Sequence, residues 1–165
     1  MRTYYLFLLI LLFGCQGTVP LSLGQDFYLD YDRNGYMAVV EMNERDKGTA
    51  GHVINGEILE INADSNFIIA KIIPVDKIRK SVSQEVSNNL KKLKEEIANS
   101  SLQEFWIIEK NTKPRLEYDL EGNTYLSNYK VYGPYTNNEF LITTKNRGVS
   151  KKLKLLPLQE FININ

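Results

Sequence analysis

Seven residues, Phe67-Ile68-Ile69-Ala70-Lys71-Ile72-Ile73, constrain this chain more than any others. The run is almost wholly apolar, rich in β-branched side chains, and cut off by Pro74. Such residues fit a pleated surface, and a short apolar run without polar alternation reads as a strand covered on both faces. Directly behind it the period changes. From Lys77 to Ser100, the residues Ile78, Val82, Val86, Leu90, Leu93 and Ile97 recur at steps of three or four, which makes one apolar stripe along a helix. Asp76 stands before it as an N-cap, and Lys91–Glu95 and Lys92–Glu96 are i,i+4 pairs on its wet face.

Elsewhere the pattern is of hairpins. Phe27, Leu29 and Tyr31 alternate with polar residues, as do Tyr36, Ala38, Val40 and Met42. Between them lies Arg33-Asn34-Gly35, and Asn-Gly is a strong hairpin turn signal. His52 to Ile61 reads as a strand interrupted at Asn55-Gly56, and Phe105 to Ile108 as a second short buried strand. Leu116 to Asp119 and Thr124 to Val131 flank a turn at Glu121-Gly122-Asn123. After Gly133-Pro134 a second helix starts. Thr136 and Glu139 form a capping box, Tyr135 and Phe140 take the hydrophobic-staple positions, and Gly148 is the C-terminal cap after Arg147. Antiparallel hairpins with two separate helices predict an α+β fold, an antiparallel β-sheet with two amphipathic helices packed on it. Lys151-Lys152-Leu153-Lys154 fits no clear element.

The chain begins with a different signal. Arg2 is followed by an unbroken apolar run from Tyr4 to Phe13. As a helix those ten residues would span about 15 Å, half of a bilayer core of about 30 Å, so the run reads as the core of an export signal. It ends in Leu12-Phe13-Gly14-Cys15, which resembles the lipobox of bacterial lipoproteins. The resemblance implies a diacylglycerol on the Cys15 thiol, cleavage before that residue and acylation of the new N-terminus. The chain would then be lipid-anchored to the cell envelope, outside the cytoplasm. An ordinary secreted protein cut nearby is the alternative. Gln16 is not the acidic residue associated with inner-membrane retention, which favours the outer membrane where a cell has two. The expected organisation is a signal peptide at 1–14, lipidated Cys15 and a tether at 15–25, and one domain at 26–165. Within the tether, Val19, Leu21 and Leu23 could instead add an edge strand.

Charge and cysteine content narrow the classes. Without Arg2, 19 basic residues face 20 acidic ones, so global charge gives no case for nucleic acid. Cys15 is the one cysteine, which excludes an internal disulfide and a thiolate metal cluster. An exported domain of this kind must be held by its core, and 43% apolar content allows that.

Three stretches taken together carry a wider resemblance. They are Gly35-Tyr36 with its strand, Asp64 followed by Phe67-Ile68-Ile69-Ala70-Lys71, and Phe105-Trp106-Ile107-Ile108-Glu109-Lys110 followed by Val131-Tyr132-Gly133-Pro134 and a helix with Glu139-Phe140. In this order and spacing they resemble a family of small bacterial lipoproteins of uncharacterised function. The resemblance implies a lipid anchor and a compact domain, and no activity.

Candidate sites remain. Asp30, Asp32, Asn34, Gly35, Tyr36 and Glu41 match the calcium loop of EF-hands, with side-chain oxygens from Asp30, Asp32 and Asn34, the carbonyl of Tyr36 and a bidentate Glu41. The flanks alternate like strands and not like helices, so a plain hairpin turn is the competing reading. His52 is the one histidine, and neither a nucleophile motif nor a second imidazole accompanies it. Glu57 with Glu60, or Glu117 with Asp119, could serve as an acid and base, although acidic residues on an exposed strand face are ordinary. Trp106, Tyr132, Tyr135 and the Gly133-Pro134 turn are similar to the start of GYF-type domains. That resemblance implies a grip on proline-rich peptides, but Gly148-Val149-Ser150 stands nearest to the motif's Gly-Tyr-Phe. Trp106 and Tyr132 could equally be core. Tyr118, Tyr125, Tyr129, Tyr132 and Tyr135 crowd one region, and tyrosine is favoured both at recognition surfaces and in strands. No residues are assigned a catalytic role. The expected function is a membrane-anchored, non-catalytic binding or accessory module with a protein or peptide partner and no nucleic acid. The alternatives are a small envelope hydrolase or a calcium-binding domain.

Overall fold

The computed structural model describes residues 20–31, 35–41, 51–118 and 124–165. Strands β1 (Leu21–Gly24), β2 (Phe27–Tyr31), β3 (Met37–Glu41) and β4 (Gly51–Ile54) form an antiparallel sheet in chain order. Phe27 and Leu29 are buried and Tyr28 and Asp30 less so, as their alternation predicts. Leu21 pairs with Leu29 and Ser22 with Tyr28, so the stretch before residue 26 supplies an edge strand.

At Asn55-Gly56 the chain leaves this sheet. A Cβ on Gly56 would lie 2.7 Å from the Ile73 carbonyl oxygen, so only glycine passes this corner. The single interrupted strand expected over His52 to Ile61 is therefore two strands in two sheets. The second sheet contains β5 (Glu57–Ala63), β6 (Phe67–Ile73) and β7 (Glu104–Glu109). A separate ribbon of β8 (Arg115–Tyr118) and β9 (Thr124–Ser127) follows. Then β10 (Lys130–Tyr135) and β11 (Leu156–Pro157) complete the second sheet in the order β10-β7-β6-β5-β11. The apolar run is its central strand: every residue of β6 is buried except half-buried Lys71, whose Nζ lies 2.7 Å from Glu60 Oε1. The β5–β6 turn is closed by Asp64, whose Oδ1 accepts from the backbone of Asn66 and Phe67 at 2.8 Å.

The 24-residue stripe expected from Lys77 to Ser100 is broken into three helices, α1 (Val75–Ser81), α2 (Gln84–Asn88) and α3 (Leu90–Ala98). The breaks fall at residues that prefer caps to helix interiors. Ser83 accepts from the Val86 amide and Asn89 from the Lys92 amide, and both have extended backbones. A straight helix over that stretch would measure about 36 Å, against about 23 Å for a seven-residue strand, so it would overrun the sheet that covers it. Only Ile78, Leu93 and Ile97 of the stripe are buried, in a cluster with Tyr36, Ile73 and Val75. Leu90 is exposed.

Two further helices, α4 (Asn137–Asn146) and α5 (Leu158–Ile164), end the chain. The faces of the second sheet bury different cores. Ile68, Ala70, Ile72 and Ile108 pack against Phe27, Leu29 and Val39 of the first sheet, with Phe161 of α5 closing the layer. On the other face Phe67, Ile69, Phe105 and Ile107 pack under Phe140 of α4, with Val149, Leu153 and Leu155 beside it. Lys110 ties the N-terminal edge to this frame: it is 3% exposed, and its Nζ donates to the Leu23 carbonyl at 2.8 Å. Burial holds its ammonium below the usual lysine range, against the nearby Asp64 carboxylate, which pulls the other way.

Candidate functional site

The residues singled out in the sequence are dispersed by the fold. Cys15, Asp32, Asn34 and Asp119 lie outside the described residues. Asp30 sits on β2 opposite Ala38, and Glu41 on β3 opposite Phe27. Three rungs of a ladder, about 10 Å, separate those two positions. Tyr36 points the other way, its ring buried in the α1–α3 cluster with Lys94 Nζ 5.8 Å from the centroid. Among the described residues no three His, Cys, Asp or Glu side chains gather as a metal group. Burial raises the Glu41 carboxyl above its ordinary range, eased by a hydrogen bond from Tyr129 and reinforced by Asp26 and Glu117. His52 is exposed on β4, Glu60 is paired with Lys71, and Glu117 is bonded to Arg115.

Strand alternation also splits the aromatic trio. Trp106 faces the first sheet with Ile108, while Tyr132 and Tyr135 face α4 with Phe105 and Ile107. Side chains one residue apart on a strand point to opposite faces, so Trp106 cannot share a groove with Phe105's neighbours. Trp106 packs against the bulge in β10, where a Cβ on Gly133 would meet its ring at 2.9 Å and the Phe105 carbonyl oxygen at 2.8 Å. The Gly133-Pro134 bond is cis. The ring of Tyr132 is covered: the Arg147 guanidinium lies 3.3 Å from its centroid. Glu109 holds both, accepting from the Tyr132 hydroxyl at 2.9 Å and from Arg147 Nη1 at 3.2 Å. Burial, and then this bond to Glu109, raise the Tyr132 hydroxyl above its usual range.

What the fold assembles is a groove on the α4 face. The local sequence dictates its walls. The Thr136 amide donates to Glu139 Oε2 at 2.8 Å, and the Glu139 amide donates to Thr136 Oγ1 at 3.4 Å, so the predicted capping box starts α4. The Thr136 amide, and then the Thr136 hydroxyl donating to the same Oε2 at 2.8 Å, hold the Glu139 carboxyl below its ordinary range. Tyr135 and Phe140 then pack in one cluster as the staple requires. At the other end Gly148 takes φ +71°, its amide donates to the Lys145 carbonyl at 3.2 Å, and the Val149 amide donates to that of Thr144 at 3.0 Å. This is a Schellman stop. It turns the chain back beside the helix, and the Leu153 amide donates to the Ser150 carbonyl at 2.9 Å to hold a tight turn. Asn62 Nδ2 then fastens the segment to β5 by donating to the Lys154 carbonyl at 2.7 Å.

Between α4 and this returning segment lies a cavity of about 520 Å³ with an apolar floor of Phe140, Leu141, Val149, Leu153 and Leu155. Lys145, Lys151 and Lys154 stand around it. Beside it Leu141 is 57% exposed and Ile142 61% exposed. Among the described residues no acidic one lines it. The lysine-rich stretch that fits no element in the sequence thus forms one wall. The signal that could have found it is charge asymmetry: from Phe140 to Gln159 the sequence holds five cations and no Asp or Glu, in a chain of zero net charge.

The sequence model of the family described as "Protein of unknown function (DUF3997)" matches residues 26–159. Among curated proteins and among solved structures, none matches the chain.

Proposed function

We propose that this chain, which belongs to the DUF3997 family of proteins of unknown function, is a non-catalytic binding or accessory module held at a cell-envelope membrane by lipid on Cys15. The observation that carries the binding half of this reading is the α4 groove. It joins an apolar floor to exposed Leu141 and Ile142, and its polar side chains are Asn137, Thr144, Ser150 and three lysines, without a titratable acid–base pair among the described residues. The anchoring half is supported by Leu12-Phe13-Gly14-Cys15 behind its apolar run. Several acyl chains, each buried CH2 contributing about 0.8 kcal/mol, hold a protein at a bilayer where a single chain does so marginally.

Fatty-acid labelling tests the reading. Cells making the chain and fed radiolabelled palmitate should yield a labelled band, and Cys15→Ser should abolish the label. A wild-type band without label would remove the anchor from the account. Groove binding is then read separately, by the experiment that follows.

A further inference from the structure

The α4 groove has a charge that the rest of the molecule lacks. Lys145, Arg147, Lys151, Lys152 and Lys154 fall within ten residues. The chain is neutral overall, so a net of five negative charges lies elsewhere. The four lysines are exposed, and among the described residues none of them pairs with a carboxylate. Arg147 is the exception, being held by Glu109. Lys145, Lys151 and Lys154 stand around the apolar floor, Lys152 lies beside them in the chain, and Leu141 and Ile142 project from α4.

We propose that this face docks on an anionic bilayer surface, with the lysines against lipid headgroup phosphates and Leu141 and Ile142 in the headgroup–acyl boundary. This deepens the binding reading above and rests on it. Two observations choose a bilayer over an acidic protein. The first is charge with composition: exposed aliphatic residues flanked by lysines are what an interfacial element presents to anionic lipid. The second is placement. The returning segment ends in β11, the edge strand beside β5, and α5 follows it directly. Ile162 of α5 lines one small cavity with Pro20 and Leu21, where the described N-terminus begins. Pro20 is five steps along the chain from Cys15, a span of at most about 17 Å when extended. A lipid on Cys15 would therefore hold the folded part close to a bilayer, and the lysines of the α4 face, which lies over β7 and β10, are exposed to meet it.

The test uses the full chain carrying Cys15→Ser and Ile142→Cys, so that a polarity-sensitive dye attaches at one position. The apolar leader from Tyr4 to Phe13 remains and brings the chain to any vesicle, so the readout is contact of α4 with lipid. On vesicles containing phosphatidylglycerol the dye emission should shift to the blue, and on pure phosphatidylcholine it should stay as in buffer. The shift should be lost in about 1 M salt, where screening falls to about 3 Å. Adding K151E, K152E and K154E, all at exposed positions, should abolish it while circular dichroism is unchanged. Equal emission on both vesicle types, or a shift that survives charge reversal, overturns the proposal. A shift of the same size with polyglutamate in place of vesicles assigns the face to an acidic polypeptide and overturns it too. Because Cys15 is absent from this variant, either outcome leaves the lipidation reading to be judged by its own label.

Discussion

Phe140→Ala removes the side chain that seats α4 on the second sheet. Phe140 is 5% exposed and packs at 5.2 Å between ring centroids against Phe105, with Phe67, Ile69 and Ile107 completing its cluster. Truncations of a buried Phe to Ala cost about 3–5 kcal/mol, the transfer of the ring plus the cavity it leaves. Phe140 also borders the groove, and Val149 and Leu153 stand free to relax into the space, so the lower end, about 3 kcal/mol, is expected. At about 2–4 °C per kcal/mol for a domain of this size, the melting temperature should fall by about 6–12 °C. Urea unfolding followed by circular dichroism gives the free energy, with an unchanged slope as the sign that only stability moved. Leu141→Ala, one residue on and 57% exposed, is the control and should change stability by no more than about 0.5 kcal/mol. A loss below about 1 kcal/mol for Phe140→Ala, or equal losses for both variants, would refute the reasoning that Phe140 fixes α4.

Gly133→Ala should destabilise by more than the loss of a glycine alone, because φ is +133° and the new Cβ would meet the Phe105 carbonyl oxygen at 2.8 Å; a melting temperature equal to wild type would contradict the packing of Trp106 on that bulge. Glu41→Gln should stabilise at neutral pH. The folded carboxyl is raised above its unfolded value, so it favours folding below the unfolded value and loses that contribution as pH rises through the folded one. The advantage of Gln should therefore shrink as pH falls towards 4.5, and an advantage that grows on acidification would reverse the assignment. Millimolar calcium should leave the melting temperature where it is, since Glu41 lies three rungs from Asp30; a rise reversed by chelator would show that the stretch from Asp30 to Glu41 holds the ion after all.

Much of this fold was legible because local rules and global packing agree. The run from Phe67 to Ile73 is the central strand, and the Thr136–Glu139 box, the Tyr135–Phe140 staple and Gly148 each stand where the helix needs them. Where the structure departs from the sequence pattern, a helix cap, a close backbone contact or strand alternation outweighs it. Three-and-four spacing continues smoothly through Ser83 and Asn89, but their side chains cap new helices. Alternation continues from His52 to Ile61, but the contact of Gly56 with Ile73 sends the two halves to different sheets. Trp106 and Tyr132 lie close in register yet face opposite ways, which proximity in a motif does not reveal. The basic wall of the groove was hidden because its lysines follow no period, and only the Schellman stop at Gly148 brings them back beside α4.

A lipid at Cys15 would hold the folded domain, with its basic α4 face, at a bilayer. Mass spectrometry of the N-terminal peptide, taken from the protein in its native membrane, tests this most directly. A peptide that begins at Cys15 and carries the mass of a diacylglycerol is the predicted result. An unmodified thiol at that position, or a first residue downstream of it, would contradict the account.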